Sequence, residues 1–415
     1  LAHTLGFETL TTLSQRRSNP VAATVLGDGK LQELAHLTGG TGIVASAAPA
    51  SRRKEEEEED EVYKEPDLPE GERAQKVIFD EELTPTQLRN LESATGVEVL
   101  DRTGVIIEIF HRHAKTRQAK IQVEIARLRY LAPRLRMNRV GQDRQGGGVG
   151  SKGLGETSHE LDKRRIRDRI AELKRELEEI HSTDMDRRSR RKNQSTVALV
   201  GYTNAGKSSL MRALTESQVY VEDKLFATLD TTVRAMQPET IPRILISDTV
   251  GFIKKLPHDL VASFRSTLDE ASDASLLLYV VDASDPTFRS QLEVTRQVLS
   301  ELDLDATESR LILNKADRLD ADAISALLRE FPHSIALSAH EPSDITRLRE
   351  IILAYFEKDM IEAELVVPYG EGKRGGEIHR TMRVLRETHT EESTIFTVRA
   401  HSETIAAWKD TSSSN

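Results

Sequence analysis

The 415-residue chain has no cysteine, which excludes disulfides and thiolate metal sites. It has one tryptophan, and aromatic residues make up only 4% of it. A platform of stacked rings for reading single-stranded nucleic acid therefore has little to be built from. No apolar run approaches the roughly 20 residues of a membrane-crossing helix. Charge is plentiful: 30% of residues are Asp, Glu, Lys or Arg, and the net charge is −10. The expectation is a monomeric, cytoplasmic, charge-rich protein, long enough for two or three domains.

The net charge hides a segregation. Glu55 to Glu61 is an unbroken acidic run, Asp60 included, and Glu65, Asp67, Glu70 and Glu72 follow. Such a block repels itself and buries nothing, so residues of about 46–73 read as a disordered insertion. Arg102 to Lys192, by contrast, carries about 24 Lys and Arg against about 13 Asp and Glu. An imbalance of that size suits an anionic partner.

Residues 1–114 alternate short apolar runs with helical ones, the pattern of a small parallel α/β domain. Strands are expected at Val21–Leu26, Lys76–Phe79, Val97–Leu100 and Val105–Phe110, with helices at Lys30–Leu37 and Thr84–Thr95. Residues 115–193 hold two charged helices. Ile121, Ile125, Leu128, Ala132 and Leu135 recur at spacings of four and three, and so do Ile166, Ile170, Leu173, Leu177 and Ile180. That period gives each helix one stripe to bury against a coiled-coil partner, and the simplest pairing is an antiparallel helical hairpin. The connection from Gly141 to Gly155 is polar and glycine-rich, a flexible basic tip. Pro133 is expected to kink the first helix or end it early. Arg187 to Lys192 reads as a basic linker. Residues 361–415 read as a small α+β domain: a β-α-β unit built from Ala363–Val367, a helix over Gly376–Glu387 and the strand Ser393–Val398, with a disordered tail from Thr411.

Residues 194–360 carry the chemistry. Gly201, Tyr202, Thr203, Asn204, Ala205, Gly206, Lys207 and Ser208 spell G-x-x-x-x-G-K-S between the apolar run Val197–Val200 and the helical run Ser209–Leu214. In that strand–loop–helix setting the glycines let backbone N–H groups turn inward on a phosphate, and the helix N-terminus adds its dipole. Lys207 would reach the β- and γ-phosphates and Ser208 would ligate Mg²⁺. Asp248, Thr249, Val250 and Gly251 follow the strand Ile244–Ser247. There an acid can hold the Mg²⁺ shell through water and the Gly251 amide can meet the γ-phosphate. Asn314, Lys315, Ala316 and Asp317 follow the strand Arg310–Leu313. A carboxylate at Asp317 can accept from guanine N1–H and the N2 amino group, which adenine lacks, so the wrong base would leave it unpaired. Lys315 would lay its stem over the base and Asn314 would tie this loop to the phosphate loop. Ser338, Ala339 and His340 fit the loop whose amide contacts guanine O6. Phe226, Ala227, Thr228, Leu229 and Asp230 supply Thr228 as the residue closing on Mg²⁺ and the γ-phosphate, with Thr231 and Thr232 as competitors. Together these motifs specify a Ras-like P-loop GTPase domain with GTP as substrate and Mg²⁺ as cofactor.

With those segments in view, the chain resembles the HflX family of ribosome-associated GTPases over nearly its whole length. The resemblance rests on Gly201–Ser208, Leu225–Asp230 and Asp248–Ile253, and outside the GTPase domain on Phe79–Gln87, Asp101–Gly104 and Gly153–Thr157. It implies an N-terminal α/β domain with a helical hairpin, a GTPase domain and a small C-terminal domain. It also implies binding to the large (50S) ribosomal subunit and its rRNA, in splitting, in rescue of stalled ribosomes or in subunit maturation. Residues near 39–73 look inserted relative to the family pattern.

Phosphoryl transfer needs positioning and charge neutralisation more than covalent chemistry. Lys207, Thr228 and Gly251 are the residues expected to act on the transferring group. The position after Gly251, where many GTPases place a water-orienting glutamine, is Phe252, so hydrolysis is expected to be slow until a partner orders the site. Asn204 occupies the position that in potassium-stimulated relatives helps hold K⁺. Two rival readings stand beside this one: an RNA-binding module gated by GTP with incidental turnover, and an ATP-dependent RNA remodeller.

Overall fold

The computed structural model describes residues 1–16, 23–44, 69–135, 158–189, 195–216, 232–241, 243–254, 271–301 and 307–410. The chain divides into two compact units, one over Leu1–Ile180 and one over His181–Leu256 with Phe264–Asn415. The acidic run, the glycine-rich connection and the tail from Thr411 lie outside the described residues.

In the first unit, α1 (Asp28–Thr38) and α2 (Pro85–Thr95) pack on a parallel pair, β1 (Lys76–Ile78) and β2 (Glu98–Leu100), with Val77 opposite Val99. Leu31, Leu34, Leu91, Ala94, Val77 and Val99 form the shared core. α2 starts on a capping box: the Thr84 hydroxyl accepts from Gln87 N, the Gln87 side chain reaches back to Thr84 N, and Pro85 occupies the first turn. Two expected strands are not strands. Val21 and Ala22 lie outside the described residues, and Ala23–Leu26 is a turn with Val25 at φ 66°, where Asn90 and Gln15 donate to the carbonyls of Ala23 and Val25. Val105–Phe110 lies inside α3 (Arg102–His113), begun by Asp101, whose carboxylate accepts from Gly104 N at 2.7 Å. Val105, Ile106, Ile107, Ile109 and Phe110 are all buried, and an apolar run buried on every side does not show whether its period is two or 3.6.

Asp101 has a second task. It also accepts from the Tyr130 hydroxyl (2.8 Å) and Arg134 Nη2 (2.7 Å) of α4 (Arg117–Leu135), so a fully buried carboxylate is satisfied from two helices. α4 continues past Pro133 to Leu135. Ile121, Ile125 and Leu128 of α4 pack with Ile170, Leu173, Leu177 and Ile180; these four lie on α5 (Ser158–Ser189), which takes in Arg187 and Arg188, expected as linker.

The second unit is built on six strands: β3 (Ser195–Gly201), β4 (Thr232–Ala235), β5 (Ile244–Asp248), β6 (Leu276–Asp282), β7 (Ser309–Asn314) and β8 (Ile335–Ala336). Their order is β4-β5-β3-β6-β7-β8, all parallel except β4, which runs antiparallel to β5. β3 and β5 are buried almost end to end, as inner strands covered on both faces must be. On one face sit α6 (Lys207–Thr215) and α9 (Pro342–Glu357), whose Leu210, Met211, Leu214, Leu348 and Ile352 pack against Val197, Leu199, Ile244 and Ile246. On the other sit α7 (Phe288–Ser300) and α8 (Ala321–Glu330). This is the Ras-like doubly wound fold. Strand order reverses about β3, and ligands bind such sheets beyond the strand C-termini at that reversal.

Beyond α9, β9 (Met360–Pro368), α10 (Gly372–Thr381), β10 (Arg383–His389), β11 (Ser393–His401) and α11 (Ser402–Asp410) form an antiparallel sheet of order β10-β11-β9 with two helices. The helix expected over Gly376–Glu387 stops at Thr381, and the remainder is a strand. Arg, Leu and Glu favour helix, but pairing with β11, from Arg383↔Arg399 to His389↔Thr394, overrides the local preference.

Candidate active site

The loop Gly201–Ser208 lies at the strand-order reversal, and two glycines shape it. Gly201 has φ 155°, and a Cβ there would lie 2.2 Å from the Val280 carbonyl oxygen on the adjacent strand. Gly206 has φ 96°, and its Cβ would lie 2.1 Å from the Asn314 amide nitrogen. Asn204 sits between them at φ 62°. Left-handed residues in such a turn aim successive N–H groups into one concavity, directly ahead of α6 and its positive dipole end.

A second backbone segment braces the loop. Thr203 N donates to Phe252 O (2.8 Å) and Phe252 N donates to Gly201 O (3.1 Å). Where the two meet there is no room for a side chain: a Cβ on Gly251 would be 2.9 Å from Thr203 Cα and 3.1 Å from Lys207 Nζ. Phe252 is 3% exposed and clusters with Ala198, Val200, Leu277 and Leu299, so its ring belongs to the core. Val250 is buried and the Thr249 hydroxyl donates back into the sheet to Leu199 O (2.8 Å).

Lys207 is 6% exposed, and its ammonium donates to the carbonyls of Gly201 (3.1 Å) and Tyr202 (3.0 Å). Burial pushes its pKa down to about 8, against the opposing pull of the Asp248 carboxylate. Ser208 Oγ donates to Asp248 Oδ2 at 2.7 Å, and Asp248 is fully buried. Two hard oxygen donors side by side at a phosphate cradle suit Mg²⁺, which takes one or two protein oxygens plus waters and substrate phosphates. The residues present fit that ion. Among the described residues no cluster of three or more His, Cys, Asp or Glu could hold a metal.

Asn314, 1% exposed, joins three segments: its Nδ2 donates to Ala205 O (2.8 Å) and its Oδ1 accepts from Ala339 N (3.2 Å). Ala316 N donates to Leu337 O (3.1 Å). Lys315 is left-handed at φ 61°, with its ammonium 2.7 Å from Asp282 Oδ2. Asp317 is exposed at the turn; the Ser338 hydroxyl foremost, then its own backbone N–H and the Arg318 and His340 charges, hold its carboxyl below the usual range against partial burial. Ser338 N donates to Asp344 Oδ2 (2.8 Å) and His340 N to Ser338 Oγ (3.3 Å).

Gly201–Ser208, Asp248–Gly251, Asn314–Asp317 and Ser338–His340 thus meet at one end of one sheet. Phe226, Ala227, Thr228, Leu229 and Asp230 lie outside the described residues, as does Thr231. Thr232 is the first residue of β4, paired opposite Asp248. Sequence reasoning passed over Asp282 and Asp344. An acid ending the apolar strand just before that of Asn314 was the available signal for the first; the second carried none.

Known proteins give the same pattern. Residues 196–315 match the family profile described as a 50S ribosome-binding GTPase, residues 60–111 the GTP-binding GTPase N-terminal region, and residues 113–191 the GTP-binding GTPase middle region. A GTPase HflX of Gluconacetobacter diazotrophicus is 58% identical over 405 residues, covering 96% of this chain and 89% of that protein. The chain belongs to the HflX GTPase family. The HflX of Escherichia coli is 35% identical over 399 residues, 95% of this chain and 86% of that one. A solved GTP-binding protein of Sulfolobus solfataricus in complex with GDP is 24% identical, covering 81% of this chain and 87% of its own, at a TM-score of 0.40. As an HflX-family member the chain is a GTP-binding, GTP-hydrolysing enzyme of a ribosome-associated family. No helix among the described residues is long and apolar enough to cross a membrane.

Proposed function

We propose that this GTPase docks on the large ribosomal subunit through a basic helical hairpin and uses GTP to time its stay, in ribosome splitting, rescue or subunit maturation. The arrangement of charge along α4 and α5 carries the reading. Arg117 pairs with Glu176 and Glu124 with Arg169, so seven residues forward on α4 is seven back on α5. Continuing that antiparallel register sets Arg127 and Arg129 against the first turns of α5, where Lys163, Arg164, Arg165 and Arg167 outnumber Glu160, Asp162 and Asp168. Glu172, Glu176, Glu178 and Glu179 fall toward the opposite end. Positive charge gathers where the glycine-rich connection begins, which suits entry into a narrow RNA-lined space by phosphate neutralisation without sequence reading. The HflX relatives and the ribosome-binding description of the matched profile support the same partner.

In this reading the loop amides and Lys207 hold the β- and γ-phosphates, and the Gly251 amide meets the γ-phosphate. Asp317, Lys315 and the Ser338–Ala339 backbone recognise guanine. Ser208 and Thr228 would hold Mg²⁺, which would supply charge neutralisation for the transferring phosphoryl group. Asn204 would help hold K⁺, and equal GTPase rates in K⁺ and Na⁺ would end that assignment. Because the Phe252 ring is committed to the core, no side chain at that position orients water, and turnover awaits a partner that completes the site. Single-turnover hydrolysis with and without 50S subunits tests this, alongside sedimentation with subunits in GTP-analogue, GDP and nucleotide-free conditions. Faster hydrolysis on the subunit and analogue-dependent sedimentation are expected. Binding without stimulation would instead favour the RNA-binding module.

A further inference from the structure

Lys315 is held by more than its backbone. β6 and β7 run parallel with Asp282 opposite Asn314, and Ala283 N donates to Asn314 O at 2.9 Å. Asp282 therefore stands at the point where the chain leaves β7 and turns through left-handed Lys315. One Asp282 oxygen takes the Lys315 ammonium at 2.7 Å; the other accepts from Ser284 N (3.1 Å) and Ser284 Oγ (2.5 Å), so the carboxylate is itself fixed. Asp285, three residues on, is tied by Thr287 N (2.8 Å), Thr287 Oγ1 (2.7 Å) and Gln291 Nε2 (2.7 Å), and the Lys315 charge acts on this carboxyl too. The Lys315 and Asp282 side chains are 16% and 17% exposed, well below the exposure at which ion pairs contribute little.

We propose that Asp282 is a positioning residue that sets how long guanine nucleotide stays bound, by anchoring the Lys315 ammonium so that the lysine stem forms a fixed wall for the base. Lysine has a long rotamer-rich stem, and a base resting on an unanchored stem must order it on binding. With the ammonium pinned at the sheet edge, that ordering is complete before nucleotide arrives, and affinity rises through preorganisation. The inference rests on the guanine-site reading above and adds a residue outside its motifs. The anchor acts on the base side, so it affects GDP and GTP alike and leaves base choice to Asp317.

The test is release of fluorescently labelled GDP and of a labelled GTP analogue from the full chain, chased with excess unlabelled GDP. Wild type is compared with Asp282→Asn, Asp282→Glu, Lys315→Met and the Asp282→Asn/Lys315→Met double variant. Asp282→Asn should speed release about tenfold, as loss of one partly buried charge-assisted hydrogen bond implies, and by the same factor for both nucleotides. Asp282→Glu, which keeps the carboxylate, should recover part of the residence time. The double variant should release no faster than Lys315→Met alone, which a general loosening of the fold would not produce. Unchanged release from Asp282→Asn, or factors that multiply in the double variant, would overturn the proposal. A wild-type chain that retains no labelled GDP would refute the guanine-site reading instead.

Discussion

Lys207 offers a test that needs only a change of pH. Its folded, nucleotide-free pKa of about 8 lies below the ordinary 10.5, because desolvation outweighs the Asp248 carboxylate. At 1.36 kcal/mol per unit, the buried ammonium carries a penalty on the order of 3 kcal/mol. Phosphates arriving beside it favour the charged form and return the pKa upward, so binding above pH 8 must take up a proton. The protonated fraction of the free site falls from about nine-tenths at pH 7 to about one-tenth at pH 9. GDP affinity should therefore drop about tenfold over that interval, whereas an ordinary lysine would leave it nearly flat. The nucleotide-free fold has the opposite trend from this group: between pH 8 and 10.5 the unfolded chain binds more protons than the folded one, so stability rises with pH there. The assay is equilibrium titration of GDP from pH 7 to 9 at fixed Mg²⁺ and ionic strength. A Lys207→Met variant run in parallel separates this lysine from titration of the guanine ring. Equal affinity at pH 7 and pH 9 refutes the reasoning.

Asn314→Ala leaves the buried Ala205 carbonyl and the Ala339 N–H without their partner, and should cost about 2–4 kcal/mol, read as a lower urea midpoint at unchanged slope; a loss under about 1 kcal/mol contradicts the bridging role. Phe252→Gln should not create a water-orienting residue, because the side chain occupies the core: about 3 kcal/mol or more of stability is lost, and a faster single-turnover rate without ribosomes would count against this placement.

The nucleotide loops were legible in the sequence because each is fixed by local requirements. Gly201 and Gly206 stand where backbone geometry admits no Cβ, and their spacing follows from one strand–loop–helix unit. The seam of α4 and α5 was legible for a similar reason, since its period is a property of each helix alone. Val105–Phe110 and Arg383–His389 were not. In the first, burial of every apolar side chain erased the period that separates strand from helix; in the second, pairing with the following strand β11 decided the outcome. Asp282 and Asp344 were passed over because their partners, Lys315 and the Ser338 amide, come into reach only when β6, β7 and β8 are placed side by side and α9 is packed behind them.

Protein-only hydrogen bonds brace the described part of the site, which bears on how GTP and GDP could be told apart. Gly201–Ser208 is braced by Phe252 from one side and by Asn314 from the other, through hydrogen bonds that involve only protein atoms. Gly251 is wedged against Thr203, with no space for a side chain. A ligand shifts a conformational equilibrium only by its differential interaction with the two states. Contacts to base and β-phosphate are common to GDP and GTP, so under the proposed assignment they add affinity without adding discrimination. Discrimination is then left to groups that meet the γ-phosphate, namely the Gly251 amide and Thr228. Gly251 sits in a segment braced against the loop, and Phe252 beside it is anchored in the core, so this half of the sensor has little freedom to respond. The switching free energy then falls mainly to the Thr228 contact, and Thr228→Ala should narrow the difference between GTP-analogue and GDP in ribosome sedimentation far more than it lowers the affinity for GDP.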